Sequence, residues 1–179
     1  MSELTTPQNV LFIALRHAQP VPRNIIYDDP ELSDGADDAI REIVANSLIP
    51  GMLGRYVVIT SSGAKRTLQT AQKIQAGIAA SRLAVVVQDE IEINTCIDEG
   101  ATSKDYWQLI YSDVKYRLAL NALKGAANRP SVTPNGGSVV VVSHAPTLAV
   151  IKGIELPNEP PFSNEAYLEE FSFTTHPKY

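Results

Sequence analysis

Four short apolar runs punctuate the chain: Val10–Leu15, Tyr56–Thr60, Leu83–Val87 and Ser138–Ser143. Each is brief and rich in β-branched residues, the pattern of a strand buried on both faces. Between them the apolar period changes. Ala36, Ile40, Ile43, Val44 and Leu48 recur at helical spacing, with Ser33 or Asp34 as N-cap candidates. Ala64, Leu68, Ala71 and Ile78 do the same after Ser62. A longer helix is predicted over about 103–123, with Tyr106, Leu109, Ile110, Val114 and Leu118 on its inner face. TPNGG at 133–137 reads as a turn feeding the fourth run, and EEFSFT at 169–174 alternates like a late edge strand. The Pro- and Glu-rich chain beyond Gly153 is expected to wrap the surface. Strands alternating with helices predict an α/β fold, a three-layer α/β/α sandwich around a mostly parallel sheet. No repeat, low-complexity tract or linker divides it, so residues 1–179 read as a single domain.

Chemistry gathers where the apolar runs stop. The first ends in Arg16 and His17, with Pro20 and Pro22 just beyond. The second runs into SSGAKRTLQTAQ, which places Ser61 and Ser62 at a strand-to-helix turn and Arg66 in the first helical turn. A cation there opposes the helix dipole unless an anion binds beside it. The fourth run leads into SHAPTLAVIKG, with His144 at its end, Ala145 next and Pro146 at a first helical position. The third leads into QDEIEINTCIDEG, which supplies the carboxylates Glu90, Glu92 and Glu99. Parallel strands put these ends on one edge, where open α/β sheets hold their ligands. A neutral imidazole is a competent nucleophile, and arginine forks hold the charge of a phosphoryl group. A carboxylic acid protonates a leaving alkoxide and then serves as base for water. Two Arg, two His and one carboxyl therefore make a phosphoryl-transfer site that needs neither metal nor cofactor.

The totals narrow the partners. The chain is 44% hydrophobic and 20% charged, with a formal net charge of −5. That balance argues against broad binding to nucleic acid or an anionic membrane. Cys96 is the only cysteine, so no intrachain disulfide forms, which suits a reducing compartment. The start, MSELTTPQN, lacks a basic n-region and an apolar h-region, and no run approaches the ~20 residues that span a bilayer. A cytoplasmic location is expected.

The ordered set resembles the histidine phosphatase superfamily, the phosphoglycerate-mutase-like phosphatases. LRHAQP is similar to that family's Arg-His-Gly signature, SSGAKRTLQTA to its Ser-Ser-x-x-x-Arg-x-x-Gln-Thr-Ala, and VVVVSHAPTL to its second-histidine strand. The resemblance runs from Leu11 to about Leu148. It implies that His17 becomes phosphorylated, that Arg16 and Arg66 bind phosphate, and that His144 contacts the phosphoryl group. The family's Glu, six residues, Glu-Gly spacing matches Glu92 to Gly100, which makes Glu92 the expected proton donor ahead of Glu90 and Glu99. Arg23 falls on the family's asparagine position and Asn24 one beyond; these two, with Ser62 and Ala145, are the substrate-binding candidates.

Some positions depart from the pattern. Ala18 stands where glycine is commonest, Cys96 where glycine is usual, and PELSDGADDA is one residue shorter than the family's Leu-Thr-x-x-Gly segment. His176 reads as a tail residue. The region around Trp107 that would cap the site is small, which leaves it open to water and to bulky substrates. The resemblance thus implies a phosphomonoesterase with a phosphohistidine intermediate. Its substrate would be a phosphorylated small molecule or a phosphorylated protein side chain. A mutase-type phosphotransferase and a non-catalytic phosphate-binding protein on the same fold are the alternatives, and the oligomeric state is left open.

Overall fold

The computed structural model describes residues 9–22, 29–52, 56–81, 86–87, 91–93, 136–163 and 165–175. The 103–123 helix expected above lies outside them. Six strands are described: β1 (Val10–Arg16), β2 (Tyr56–Ser61), β3 (Val86–Val87), β4 (Glu92–Ile93), β5 (Gly137–Ser143) and β6 (Glu170–Thr175). Three helices accompany them: α1 (Ala36–Ile43), α2 (Lys65–Ala80) and α3 (Ala145–Glu155). They form one sheet in the order β3-β2-β5-β1-β6, with β4 also paired to β2. All pairings are parallel except β6, which runs antiparallel along the outer side of β1. The late edge strand read from the alternating EEFSFT is therefore present.

Successive side chains of a strand point to opposite faces, and here both faces are covered. On one, Phe12, Ala14, Val139 and Val141 pack with Leu148 and Ile151 of α3 and with Phe171 and Phe173 of β6. Phe12 stacks on Phe173 at 5.1 Å between ring centres. On the other, Ile13, Leu15, Ile59, Val140 and Val142 meet Ile40, Val44, Leu48, Ala71, Ile74 and Ile78. Helices on both sides of the sheet make the expected α/β/α layering, and they explain why β1 and β5 carry no polar alternation.

Three details differ from the sequence reading. Neither Ser33 nor Asp34 caps α1; the N-cap is Gly35, without a side-chain cap. The Ser33 backbone N–H and hydroxyl both donate to the Gln19 carbonyl (2.9 and 3.1 Å), which ties the approach to α1 to the loop after β1. Beyond Ile43 the helix continues as a π-helical stretch, Val44–Leu48, and a last turn, Ile49–Gly51. In α2, Leu68 is only half-buried and Ala64 is the N-cap, while Arg66, Thr67 and Thr70 occupy the buried face.

The turn before β5 demands glycine. Gly136 has φ +79°, and a Cβ there would lie 1.7 Å from the Asn9 carbonyl oxygen. This close approach seats β5 between β1 and β2. Arg16 lies beside Ser143, and Ser61 beside Val142. The carboxyl ends of the three central strands are thus level.

Candidate active site

Level strand ends bring His17, Ser62 and His144 out on one edge. His17 and His144 follow β1 and β5 directly, and Arg66 enters from the second residue of α2. All three are nearly out of water, at 5%, 2% and 4% exposure for His17, His144 and Arg66. The arginine bridges the two rings. Its Nε–H donates to His17 Nε2 and its Nη2 to His144 Nδ1, each at 3.3 Å. The imidazoles meet edge to face, 5.1 Å between centres.

These contacts fix tautomers, because arginine only donates. His17 Nδ1–H donates to the Ala18 carbonyl (2.7 Å), so Nε2 keeps its lone pair toward the guanidinium. Burial chiefly, with the positive charges of Arg66 and Arg16 adding to it, lowers the His17 pKa from 6.5 to about 4, against the opposing pull of the Ala18 carbonyl. His17 is therefore neutral at physiological pH. A neutral imidazole with a directed lone pair beside a buried guanidinium can attack an electrophilic phosphorus held by that guanidinium.

The loop carrying His17 is clamped to α2. The Ala18 N–H donates to Thr70 Oγ1 (3.1 Å), which in turn donates to the Arg66 carbonyl (2.8 Å). Among the described residues Leu168 is the only non-glycine with positive φ, so alanine stands at position 18 without backbone strain.

Arg16 leans outward. Its guanidinium carbon lies 4.4 Å from the centre of the Tyr167 ring, and its Nη1 donates to the Ala166 carbonyl (3.2 Å). Tyr167 is also 5.7 Å from the His17 ring. A cavity of about 480 Å³ opens above the site, lined by Arg16, His17, Arg66, His144, Ala145 and Tyr167 among others. Ser62 does not line it; its hydroxyl is engaged with Thr67 Oγ1 (2.9 Å), as is that of Ser61 (3.0 Å).

An anion does sit at the start of α2, and the chain supplies it. Asp29 accepts from the Lys65 N–H (2.7 Å) and from Arg66 Nη1 (3.0 Å). Asp29 and Tyr167 were absent from the sequence reading. The signal for Tyr167 lay in the direction of β6: a strand antiparallel to β1 must be entered from the carboxyl edge. Asp29 precedes a loop–loop bridge between Pro20 and Leu32 that no periodicity reveals.

Arg23, Asn24, Glu90, Glu99, Cys96 and His176 lie outside the described residues. Glu92 is placed by its backbone, paired with Thr60 near the carboxyl end of β2. Among the described residues no three His, Cys, Asp or Glu side chains cluster as a metal site would require. Nor, among them, is any helix long and apolar enough to cross a membrane.

By sequence, no family model and no curated protein matches the chain. Solved structures do. Phosphoglycerate mutase from Bacillus anthracis superposes with a TM-score of 0.59 at 13% identity, covering 96% of this chain and 90% of that one. The protein histidine phosphatase SixA, complexed with tungstate, also gives 0.59, at 15% identity over 93% of this chain and 97% of that one. This chain has the phosphoglycerate-mutase-like α/β fold. A mycobacterial glucosyl-3-phosphoglycerate phosphatase matches as well, with a TM-score of 0.55 at 15% identity over 90% and 88% of the two chains. The fold is thus shared with phosphatases and with a mutase alike.

Proposed function

We propose that this protein is a phosphomonoesterase acting through a phosphohistidine formed on His17. The observation that carries the reading is the single buried guanidinium of Arg66, joined at 3.3 Å to both the His17 Nε2 lone pair and His144. In this mechanism Arg66 and Arg16 hold the phosphoryl oxygens, and His17 Nε2 forms the N–P bond as the P–O bond to the leaving group breaks. Glu92 gives that oxygen its proton, a role supported by the pairing of its backbone beside the end of β2. Water then attacks phosphorus and passes its proton to Glu92 as the N–P bond breaks, which releases phosphate and restores neutral His17. His144, with Nδ1 accepting from Arg66, has Nε2–H to donate to the phosphoryl group. The charge is met by arginine and imidazole, so the chemistry requires no metal. Ala145 lines the substrate side of the cavity, and Arg23 and Asn24 complete the substrate-binding set. The substrate is a phosphorylated small molecule or protein side chain, and the single cysteine fits a cytoplasmic setting.

The test is hydrolysis of an aryl phosphate, with and without chelator, by the wild type and by His17→Ala. Chelator-resistant turnover that vanishes in the variant is expected. Quenched enzyme should carry a phosphate that is lost in acid and retained in base, the signature of a phosphoramidate. Activity persisting in His17→Ala would refute the nucleophile. Phosphate binding by the folded wild type without turnover would favour a binding protein.

A further inference from the structure

The floor of the cavity is cationic and polar, and its described lining also carries apolar side chains at the surface. Val21 and Tyr167 are the exposed large hydrophobic residues among the described ones, at 39% and 40%, and both line this one cavity. Scattered exposed apolar residues need no explanation; two that converge on one opening do. Pro20, Pro22 and Pro146 extend the same lining, with Gln19 adding an amide.

The apolar wall is built rather than incidental. Val21 is held by its N–H donating to the Glu31 carbonyl (2.9 Å), within the bridge that joins Pro20 to Leu32. Tyr167 lines the same cavity from a different segment, the turn that enters β6. That turn is anchored by Arg16, whose backbone N–H donates to the Glu169 carbonyl (3.0 Å), and by the Ser163 N–H donating to Glu169 Oε1 (3.0 Å). Leu168 adopts φ +58° there and packs its side chain against the core. A non-glycine residue in that region is strained, and such strain persists where the surroundings over-determine it. The result is a ring held above the site with much of its surface in water.

We propose that the Val21–Tyr167 mouth selects phosphorylated substrates whose group next to the phosphoryl is a flat, apolar ring, aryl or heteroaryl, over those bearing a small polar group. This inference rests on the phosphatase reading and names its substrate class. The phosphoryl group meets Arg16 and Arg66 below while the ring lies against Val21, Tyr167 and the prolines. A volume of about 480 Å³ admits both parts.

Binding of non-hydrolysable phosphonates separates the two readings. Benzylphosphonate and methylphosphonate are titrated calorimetrically into the wild type, Val21→Ser and Tyr167→Ala. In the wild type the benzyl compound should bind about tenfold tighter, as expected for burying part of a ring. Both variants should cut that ratio to roughly twofold. Using the ratio removes the general weakening that Tyr167→Ala causes by releasing Arg16, and Val21→Ser serves if Tyr167→Ala fails to fold. Methylphosphonate binding with no benzyl preference, or a preference that survives both substitutions, overturns the mouth and leaves the phosphatase standing. Failure of both phosphonates to bind overturns the anion site, and both readings fall with it.

Discussion

Replacing His17 by Asn should flatten the acid side of the stability profile. The ring is 5% exposed, and its pKa falls from 6.5 to about 4 on folding, chiefly through burial. Between those values the unfolded chain binds a proton that the folded chain refuses. Stability is therefore unaffected above about pH 6.5, declines as the pH drops through the window, and levels off below about 4. At pH 4.5 the linkage relation gives a loss of ~2.5 kcal/mol from this group alone, with 1.36 kcal/mol for each full pKa unit. Chemical denaturation of both proteins at pH 7.5 and 4.5 measures it. The wild type should lose ~2–3 kcal/mol more than His17→Asn between those conditions. Other groups titrate in both proteins and cancel in the difference. Equal losses would show that His17 is not held neutral by its surroundings, and the case for an available lone pair at Nε2 would fail. The same neutrality sets the acid limb of kcat/KM near pH 4 rather than near 6.5.

Two further expectations concern the frame and the bridge. Arg66→Lys cannot reach His17 and His144 from one planar fork, so kcat/KM should fall by about 10²–10³ while the fold is retained; an effect under tenfold would remove Arg66 from the centre of the site. Gly136→Ala forces a Cβ into the Asn9 carbonyl at positive φ, and denaturation should show a loss above ~2 kcal/mol, since the clashing atom is backbone. A neutral result there would mean that the approach of β5 to the start of β1 is not fixed by this contact.

How much of this was legible depended on which residues carried the signal. The central strands declared themselves, because a sheet covered on both faces requires short apolar runs, and the histidines and Arg16 stand where those runs end. β6 was legible from its period of two. The buried face of α2 was legible in part: Ala71 and Ile78 are buried as their spacing predicted. Hydrophobic periodicity pointed to Leu68, whereas the helix turns Arg66, Thr67 and Thr70 inward. Each of these finds its partner on a different element, and such pairings leave no trace in local spacing. Ser33 looked like a cap for the same reason: its preference for bonding nearby backbone is real, but the Gln19 carbonyl claims it first. Asp29 is invisible to any local rule, since its partners lie 36 and 37 residues away.

The first turns of α2 have a mechanical consequence. Thr70 holds the backbone of Ala18, Gln69 accepts from the Leu32 N–H (3.0 Å), and Arg66 reaches the rings, all from one rigid rod. The loop after His17 is thus tied to α2, but His17 itself is tied to the sheet: its N–H donates to the Ser143 carbonyl (3.0 Å), one residue before His144. The two histidines therefore ride on one carrier, the paired ends of β1 and β5, and Arg66 on another. A small shift of α2 leaves the gap between the rings unchanged and falls on both of the Arg66 contacts at once. The tolerance for drift in that helix is set by the reach of one guanidinium.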